Sequence, residues 1–275
     1  MQLTRPLSPI RNSWLGSASL NILANYCSPL IAALALIRIL MREISEFLSS
    51  IDNFSDVNYY RGHADTQWAL LPSLARIDVS SINTSSIGIW NSYEWSNLER
   101  EILRAFEKHG CSLLKTPPKN SLEWLIHAQH HGLPTRLLDW SLNPLKALFF
   151  AVENPELDHL DGAVFGVSVM TNFVMDKYVE IQNIGKITGF NSSSLNMRVA
   201  AQEGCFTLSP MPGGLNSFTE VKVDRNSVDY LGKYEIPKES KPALRKQLHK
   251  LGVTHKFLFP DLDGLAKSIK RDFGL

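Results

Sequence analysis

Charged and aromatic side chains are concentrated in one largely apolar stretch of this sequence, residues 129–151 (QHHGLPTRLLDWSLNPLKALFFA). The polar members suited to chemistry are His130, His131, Thr135, Arg136 and Asp139. Their leucine and tryptophan neighbours favour burial, whereas an unpaired buried charge is energetically costly. The combination predicts a partly buried polar site whose charges pair with each other or with a ligand.

Two further blocks mix charged, aromatic and small residues in the same way, at residues 59–76 (YYRGHADTQWALLPSLAR) and 198–206 (RVAAQEGCF). Arg61 follows an aromatic pair and precedes Gly62, which is typical of a strand end where a ligand or the chain comes close. A guanidinium there can bind a phosphate or carboxylate through two parallel hydrogen bonds. The alternative is a structural salt bridge to Asp65 or Asp139.

Arg136 and Asp139 flank two leucines. In an extended segment their side chains point to opposite faces, and in a helix they share one face. One interpretation is an internal ion pair, and the other makes Thr135 and Arg136 part of a nucleotide or phosphate pocket. Because a carboxylate beside Trp140 is costly to bury alone, we expect Asp139 to pair with Arg61 or Arg136.

Three histidines, His127, His130 and His131, have a spacing on a predicted helix that can bind zinc. No glutamate completes an HExxH pattern, so we expect no metal and interpret His130 as a hydrogen-bonding residue. Gln202 and Glu203 fall in a predicted apolar strand, on opposite faces by alternation. We predict that one pocket is lined by residues from all three blocks, namely Arg61, Thr135, Arg136 and Gln202.

The three blocks, in this order, resemble the signature blocks of the FRG-domain family. That family takes its name from a Phe-Arg-Gly triplet, which reads Tyr60-Arg61-Gly62 here. His130 and Gln202 fall at the histidine and glutamine of the family motifs. Residues 251–269 (LGVTHKFLFPDLDGLAKSI) resemble the C-terminal end of the family. The resemblance spans residues 41 to 272.

The layout also resembles that of the ADP-ribosyltransferase superfamily, in which an Arg or His holds NAD and a later Glu or Gln contacts ribose. This resemblance implies NAD as the cofactor, with catalytic roles for Gln202, Arg61 and His130. It implies NAD contacts from Arg61, Gly62, Thr135, Arg136 and Asp139. The sequence departs from the superfamily's Glu-x-Glu or Gln-x-Glu, because Gly204 stands two residues after Gln202.

The leading hypothesis is therefore an NAD- or nucleotide-handling enzyme of ADP-ribosyltransferase type, acting as a toxin or defence effector on a protein or nucleic-acid acceptor. Cleaving the nicotinamide–ribose bond builds positive charge that a polar side chain near the 2′-hydroxyl stabilises. One alternative is a non-catalytic module that binds a nucleotide, nucleic acid or protein. Another is a nuclease that uses His130 with Asp139.

Composition narrows the class of protein. The 275 residues are 44% hydrophobic and 20% charged, which is typical of a globular protein. The formal net charge is +1, so any nucleic-acid contact must come from a local patch. Three distant cysteines without a CxxC pair argue against a disulfide framework and favour the cytoplasm.

Residues 1–40 are interpreted as a hydrophobic extension that precedes an FRG domain over residues 41–275. The uncharged run 15–37 is long enough for a membrane anchor, which is the alternative location. Its proline, serines and asparagines favour an extension that is dispensable for the fold. From Met41 the sequence predicts an amphipathic helix with one apolar face, formed by Ile44, Phe47, Leu48 and Ile51.

Periodicity and capping signals predict helices over residues 93–109, 121–131, 145–152, 241–251 and 262–271. Alternation predicts strands over residues 163–169, 198–208, 228–236 and 256–259. Helix signals mostly come first, which favours an α+β fold. We expect a helix-rich N-terminal half packed on a small, mostly antiparallel or mixed sheet. The resemblance to ADP-ribosyltransferases implies that the whole fold is of that type.

Overall fold

The computed structural model describes residues 41–273, with gaps at residues 55, 79, 81, 83–93, 115, 171–183, 192–196 and 225. The helices in this part are α1 (Arg42–Ile51), α2 (Trp95–Gly110), α3 (Ser121–His130), α4 (Pro144–Val152), α5 (Met197–Ala201), α6 (Lys241–Lys250), α7 (His255–Leu258) and α8 (Leu262–Asp272). The strands are β1 (Tyr59–His63), β2 (Leu137–Ser141), β3 (Gly162–Val169), β4 (Thr188–Asn191), β5 (Gly204–Leu208) and β6 (Val228–Ile236).

The strands of the described residues form one six-stranded sheet in the order β4-β5-β2-β1-β3-β6. All its pairings are antiparallel, which confirms the α+β prediction. Strand β2 pairs with β1 on one side, Tyr60 opposite Ser141, and with β5 on the other, Trp140 opposite Cys205. The three polar blocks of the sequence therefore supply three adjacent strands, although they are far apart along the chain.

Helix α4 packs directly on β1. The sequence places an N-cap residue, Asn143, and a first-turn proline, Pro144, just before the predicted helix, and both act as expected. The Asn143 side chain accepts a hydrogen bond from the Leu145 backbone N–H, and Pro144 is the first residue of the helix. A Cβ on Gly62 would lie 1.9 Å from the Ala147 carbonyl oxygen. The glycine is thus needed because a helix backbone approaches the strand, and it lies within β1 rather than at a turn.

Helix α1 covers one end of the core. Its Ile44, Phe47 and Ile51 side chains are buried against α6 and β6, as the amphipathic pattern predicts. Leu48 is 37% exposed, so the buried contacts of this apolar face come from the other three residues. The Ile44 N–H also donates to the Gln247 side-chain carbonyl at 3.1 Å, which fixes α1 on α6.

Two predicted strands differ in the structure. The segment predicted as one strand over residues 198–208 divides into α5, a turn at Gln202 and Glu203, and β5. Residues 255–258 form α7 instead of a strand, because the Thr254 side chain caps the Phe257 N–H. Among the described residues no helix is long and apolar enough to cross a membrane. Residues 1–40, and with them the predicted extension or anchor, lie outside that part of the chain.

Candidate functional site

A cleft of about 280 Å³ lies where strands β1, β2 and β5 meet helices α3, α4 and α5. Its polar lining residues are Arg61, Gln129, His130, Asp139, Ser141, Arg198 and Gln202. Its apolar walls include Tyr60, Ile126, Trp140, Phe150, Val199 and Phe206. Apolar walls with convergent polar groups are typical of a small-molecule site.

The cleft gathers most, but not all, of the residues that the sequence singles out. Arg61, Gly62, His130, Asp139 and Gln202 all line it. Thr135 and Arg136 lie outside it. The prediction that one pocket is lined by residues from all three blocks was therefore right for Arg61 and Gln202 and wrong for Thr135 and Arg136. Gln129 and Arg198 line the cleft without having been proposed, although both belong to the polar blocks.

Arg61 is held in place by two contacts. Its Nε donates to the His63 ring at 2.9 Å, and its Nη1 donates to the Asp139 backbone carbonyl at 2.5 Å. Burial lowers the pKa of Arg61, but a guanidinium stays protonated in proteins. Neither contact uses Nη2, whose two N–H groups are left for a ligand. The side chain is therefore a fixed cation with spare donors at the cleft.

His63 acts through Arg61 rather than by lining the cleft. Its Nε2 faces the Arg61 Nε–H, and its Nδ1 lies 3.1 Å from the Trp68 carbonyl oxygen. These partners fit a neutral ring that carries its proton on Nδ1. Burial, followed by the charge of Arg61, lowers the pKa of His63 to about 3, which keeps the ring neutral near pH 7.

Asp139 lies on β2 as an exposed residue between buried neighbours. Its carboxylate forms no ion pair within the described part of the chain, so the expected pairing with Arg61 or Arg136 was wrong. The contact to Arg61 runs through the Asp139 backbone carbonyl instead. Because solvent can reach the carboxylate, it needs no buried partner, and it stays available at the edge of the cleft.

His130 lies at the C-terminal end of α3, where it lines the cleft. Burial, then the charge of Arg198, lowers its pKa to about 4. The imidazole is therefore neutral near pH 7 and can donate through one ring nitrogen while accepting through the other. No group of three His, Cys, Asp or Glu side chains that could hold a metal ion occurs among the described residues.

Gln202 lies on the turn between α5 and β5. Its amide nitrogen donates to the Leu258 carbonyl at 3.1 Å, which leaves its side-chain oxygen free to accept from a ligand. The Ser141 hydroxyl donates to the Gln202 backbone carbonyl at 2.7 Å. Because Gln202 is not in a strand, the expected alternation with Glu203 does not apply, and Glu203 adopts a left-handed φ of 47°.

Thr135 does not line the cleft but contacts a residue that does. Its hydroxyl donates to the side-chain oxygen of Gln129, and its backbone N–H donates to the Ser73 hydroxyl at 3.0 Å. The first contact orients the Gln129 amide so that its NH₂ group remains available to a ligand. Thr135 therefore positions a lining residue and is itself buried.

Arg136 points away from the cleft to a different cavity, of about 370 Å³, beside α2. It is 1% exposed, and its Nε lies 3.0 Å from the Glu99 Oε2. The Arg136 backbone N–H also donates to the Glu99 Oε1 at 2.9 Å. Burial raises the pKa of Glu99, and Arg136 opposes that rise. The pair joins α2 to the start of β2 and has a structural role.

Residues 56–159 match the family model of the FRG domain. The matched range contains the first two polar blocks and supports their resemblance to this family. The block at residues 198–206 and the C-terminal segment lie beyond the matched range. No curated protein and no solved structure matches the chain.

Proposed function

We propose that the cleft binds a nucleotide, with its phosphates on arginine, and that NAD is the ligand. The main support is the Arg61 guanidinium, fixed by His63 and by the Asp139 backbone, with its Nη2 donors unused. A preorganised guanidinium suits the flat, bidentate geometry of a phosphate. The half-buried rings of Tyr60 and Phe150, which line the cleft, provide apolar surface for a base or nicotinamide ring.

The proposed reaction is transfer of ADP-ribose from NAD. The bond between the nicotinamide nitrogen and ribose C1′ breaks, and nicotinamide leaves with the bonding electron pair. A lone pair of the acceptor then forms a bond to C1′, and the acceptor loses a proton. Positive charge builds on the ribose between these events, and a nearby fixed negative charge lowers that barrier.

Asp139 supplies that negative charge in the proposal. The superfamily pattern has an acidic residue two positions after Gln202, but Gly204 stands there. Asp139 brings a carboxylate to the same cleft from β2, the strand beside β5. The Gln202 side-chain oxygen accepts a ribose hydroxyl, and the neutral His130 accepts a hydrogen bond from the acceptor group. In this proposal the carboxylate comes from a neighbouring strand of the sheet and not from a residue at a fixed distance from Gln202 in the sequence.

The proposal is tested with purified full-length protein. Calorimetric titration should show binding of NAD and ADP-ribose, and adenylate-labelled NAD incubated with cell extract should label a protein or nucleic acid while free nicotinamide appears. Arg61→Gln should weaken NAD binding by about tenfold or more, because a charge-assisted contact is lost. The control is Arg104→Gln, an exposed arginine on α2 away from the cleft.

The second candidate is a non-catalytic nucleotide-binding module. The observation that favours it is the glycine at position 204 in place of an acidic residue. NAD binding that depends on Arg61 but yields neither nicotinamide nor labelled acceptor would support this module. Absence of NAD and ADP-ribose binding would refute both candidates.

A further inference from the structure

A second cavity, of about 180 Å³, adjoins the cleft. It shares three lining residues with the cleft: Arg61, Gln129 and Asp139. Its remaining walls are Ser73, Arg76, Gly132, Leu133, Leu137 and Leu138. Because the same three side chains border both spaces, an elongated ligand could pass from one to the other across Arg61.

The two adjoining cavities together have an excess of positive charge. Arg76 is exposed, and its guanidinium forms no ion pair or hydrogen bond within the described residues. The arginines that line the two spaces are Arg61, Arg76 and Arg198, and the carboxylate is Asp139. Arg76 also contributes to lowering the pKa of Arg61, which reflects the proximity of the two cations. A doubly charged anion at the junction between the two cavities would relieve their repulsion.

Hydrogen-bond donors converge on the same junction from three elements. Arg61 on β1 has its Nη2 group unused, and Arg76 ends a short 3-10 turn, Leu74–Arg76. The Gln129 side chain on α3 offers its NH₂ group, since its oxygen accepts from Thr135. The Ser73 hydroxyl is occupied by contacts to Thr135, so it shapes the wall. A set of donors with few acceptors favours phosphate oxygens as the ligand atoms.

We infer that the diphosphate of an extended nucleotide binds at this junction, on Arg61, Arg76 and Gln129, with one nucleoside half in each cavity. The half that reacts lies in the cleft, with Asp139 and Gln202. The other half lies in the second cavity beside the partly buried Leu133, where Gly132 leaves open space. The assignment of the two halves rests on the proposed function, whereas the diphosphate site can be tested separately.

The test uses calorimetric titration of inorganic pyrophosphate, orthophosphate and NAD into the wild type, Arg76→Gln and Arg104→Gln at one fixed salt concentration. Arg76 is exposed, so its replacement should leave the melting temperature unchanged. We expect Arg76→Gln to weaken pyrophosphate and NAD binding by about tenfold. Arg104→Gln, the matched exposed control, should change either affinity by less than about twofold. Orthophosphate should bind more weakly than pyrophosphate and depend less on Arg76.

Several outcomes would overturn the inference. The inference is contradicted if the wild type binds no pyrophosphate, or if the wild type and Arg76→Gln bind it with equal affinity. It is also contradicted if Arg104→Gln loses as much pyrophosphate affinity as Arg76→Gln does. Orthophosphate that binds as tightly as pyrophosphate with the same dependence on Arg76 would show a single-phosphate site and also overturn it. Pyrophosphate binding that depends on Arg76, without NAD binding, would refute the proposed function and leave the diphosphate site standing.

Discussion

The ammonium group of Lys146 on α4 lies 2.8 Å from the Glu203 carboxylate and 2.6 Å from the Ala201 carbonyl oxygen. These two partners flank Gln202, so one buried lysine holds both sides of the turn that brings Gln202 to the cleft. The Leu142 N–H adds a 2.9 Å hydrogen bond to the Glu203 carbonyl. The left-handed backbone at Glu203 is therefore fixed by its surroundings rather than by its own residue type.

Replacing Lys146 should loosen this turn. We expect Lys146→Met to lower the free energy of unfolding by about 1–3 kcal/mol, because the partly buried Ala201 carbonyl loses its donor. Hydrogen exchange at the Leu142 and Glu203 amides should become faster. Lys233→Met, which removes an exposed pair with Glu235, is the control. Equal exchange rates in the wild type and Lys146→Met would contradict the proposed role of this lysine.

Asp139→Asn should reduce activity while leaving the stability of the fold unchanged. Because the carboxylate is exposed and forms no ion pair in the described residues, we expect a change in unfolding free energy within about 0.5 kcal/mol. NAD binding should be retained, and nicotinamide release should fall on the order of 100-fold if the carboxylate stabilises the ribose cation. Asp229→Asn, on an exposed position of β6, is the control. Undiminished nicotinamide release in Asp139→Asn would exclude this catalytic role.

The buried pair of Arg136 and Glu99 should matter for stability alone. Glu99→Gln removes the negative charge that faces the Arg136 guanidinium and should cost about 3 kcal/mol or more in denaturant unfolding. Glu101→Gln on the same helix affects exposed pairs and should cost about 1 kcal/mol or less. Ligand affinity per folded molecule should be unaffected in both variants. A selective loss of NAD affinity in Glu99→Gln would place Arg136 in the site after all.

Gly62→Ala should strain the contact between α4 and β1. The added Cβ would lie 1.9 Å from the Ala147 carbonyl oxygen and 2.7 Å from the Ala151 nitrogen, both backbone atoms. We expect a loss of about 3 kcal/mol or more in thermal or denaturant unfolding. Gly213→Ala is the control, because a Cβ there meets nothing within 4 Å. A wild-type melting temperature for Gly62→Ala would mean that α4 packs differently.

The fold should become less stable as the pH falls below about 6.5. Burial is the main cause that lowers the pKa of His63 to about 3 and of His255 to about 4, from an ordinary 6.5. Between these values the unfolded chain binds protons that the folded chain does not, so each histidine contributes a loss approaching about 1.4 kcal/mol per pH unit. His255→Gln should reduce the slope of unfolding free energy against pH, with the exposed His249→Gln as the control. An unchanged slope would contradict the lowered pKa of His255 and would point to stabilisation of the charged ring by the Glu153 carboxylate, 3.4 Å from its Nε2.

Local signals in the sequence determined much of the secondary structure and which segments carry the candidate site residues. Asn143 and Pro144 start α4 where their types predict, because a cap and a first-turn proline act within a few residues. The polar blocks were recognisable because charged side chains are out of place in apolar surroundings. The division of residues 198–208 was not predicted, since Lys146, Ser141 and Leu142 hold that turn from elsewhere in the chain.

The sequence by itself therefore determined which segments carry the polar residues and the α+β class. Only the tertiary structure decided which of those residues share the cleft. Arg136 stands at a bend just before β2, and Asp139 lies within β2. The packing of the sheet and α2 decides that the Arg136 side chain meets Glu99 and that the Asp139 side chain lies at the cleft. Glu99 is 37 residues from Arg136 in the chain, and that pairing depends on long-range packing. Sequence spacing cannot encode that choice, because it arises from elements that meet only in the folded protein.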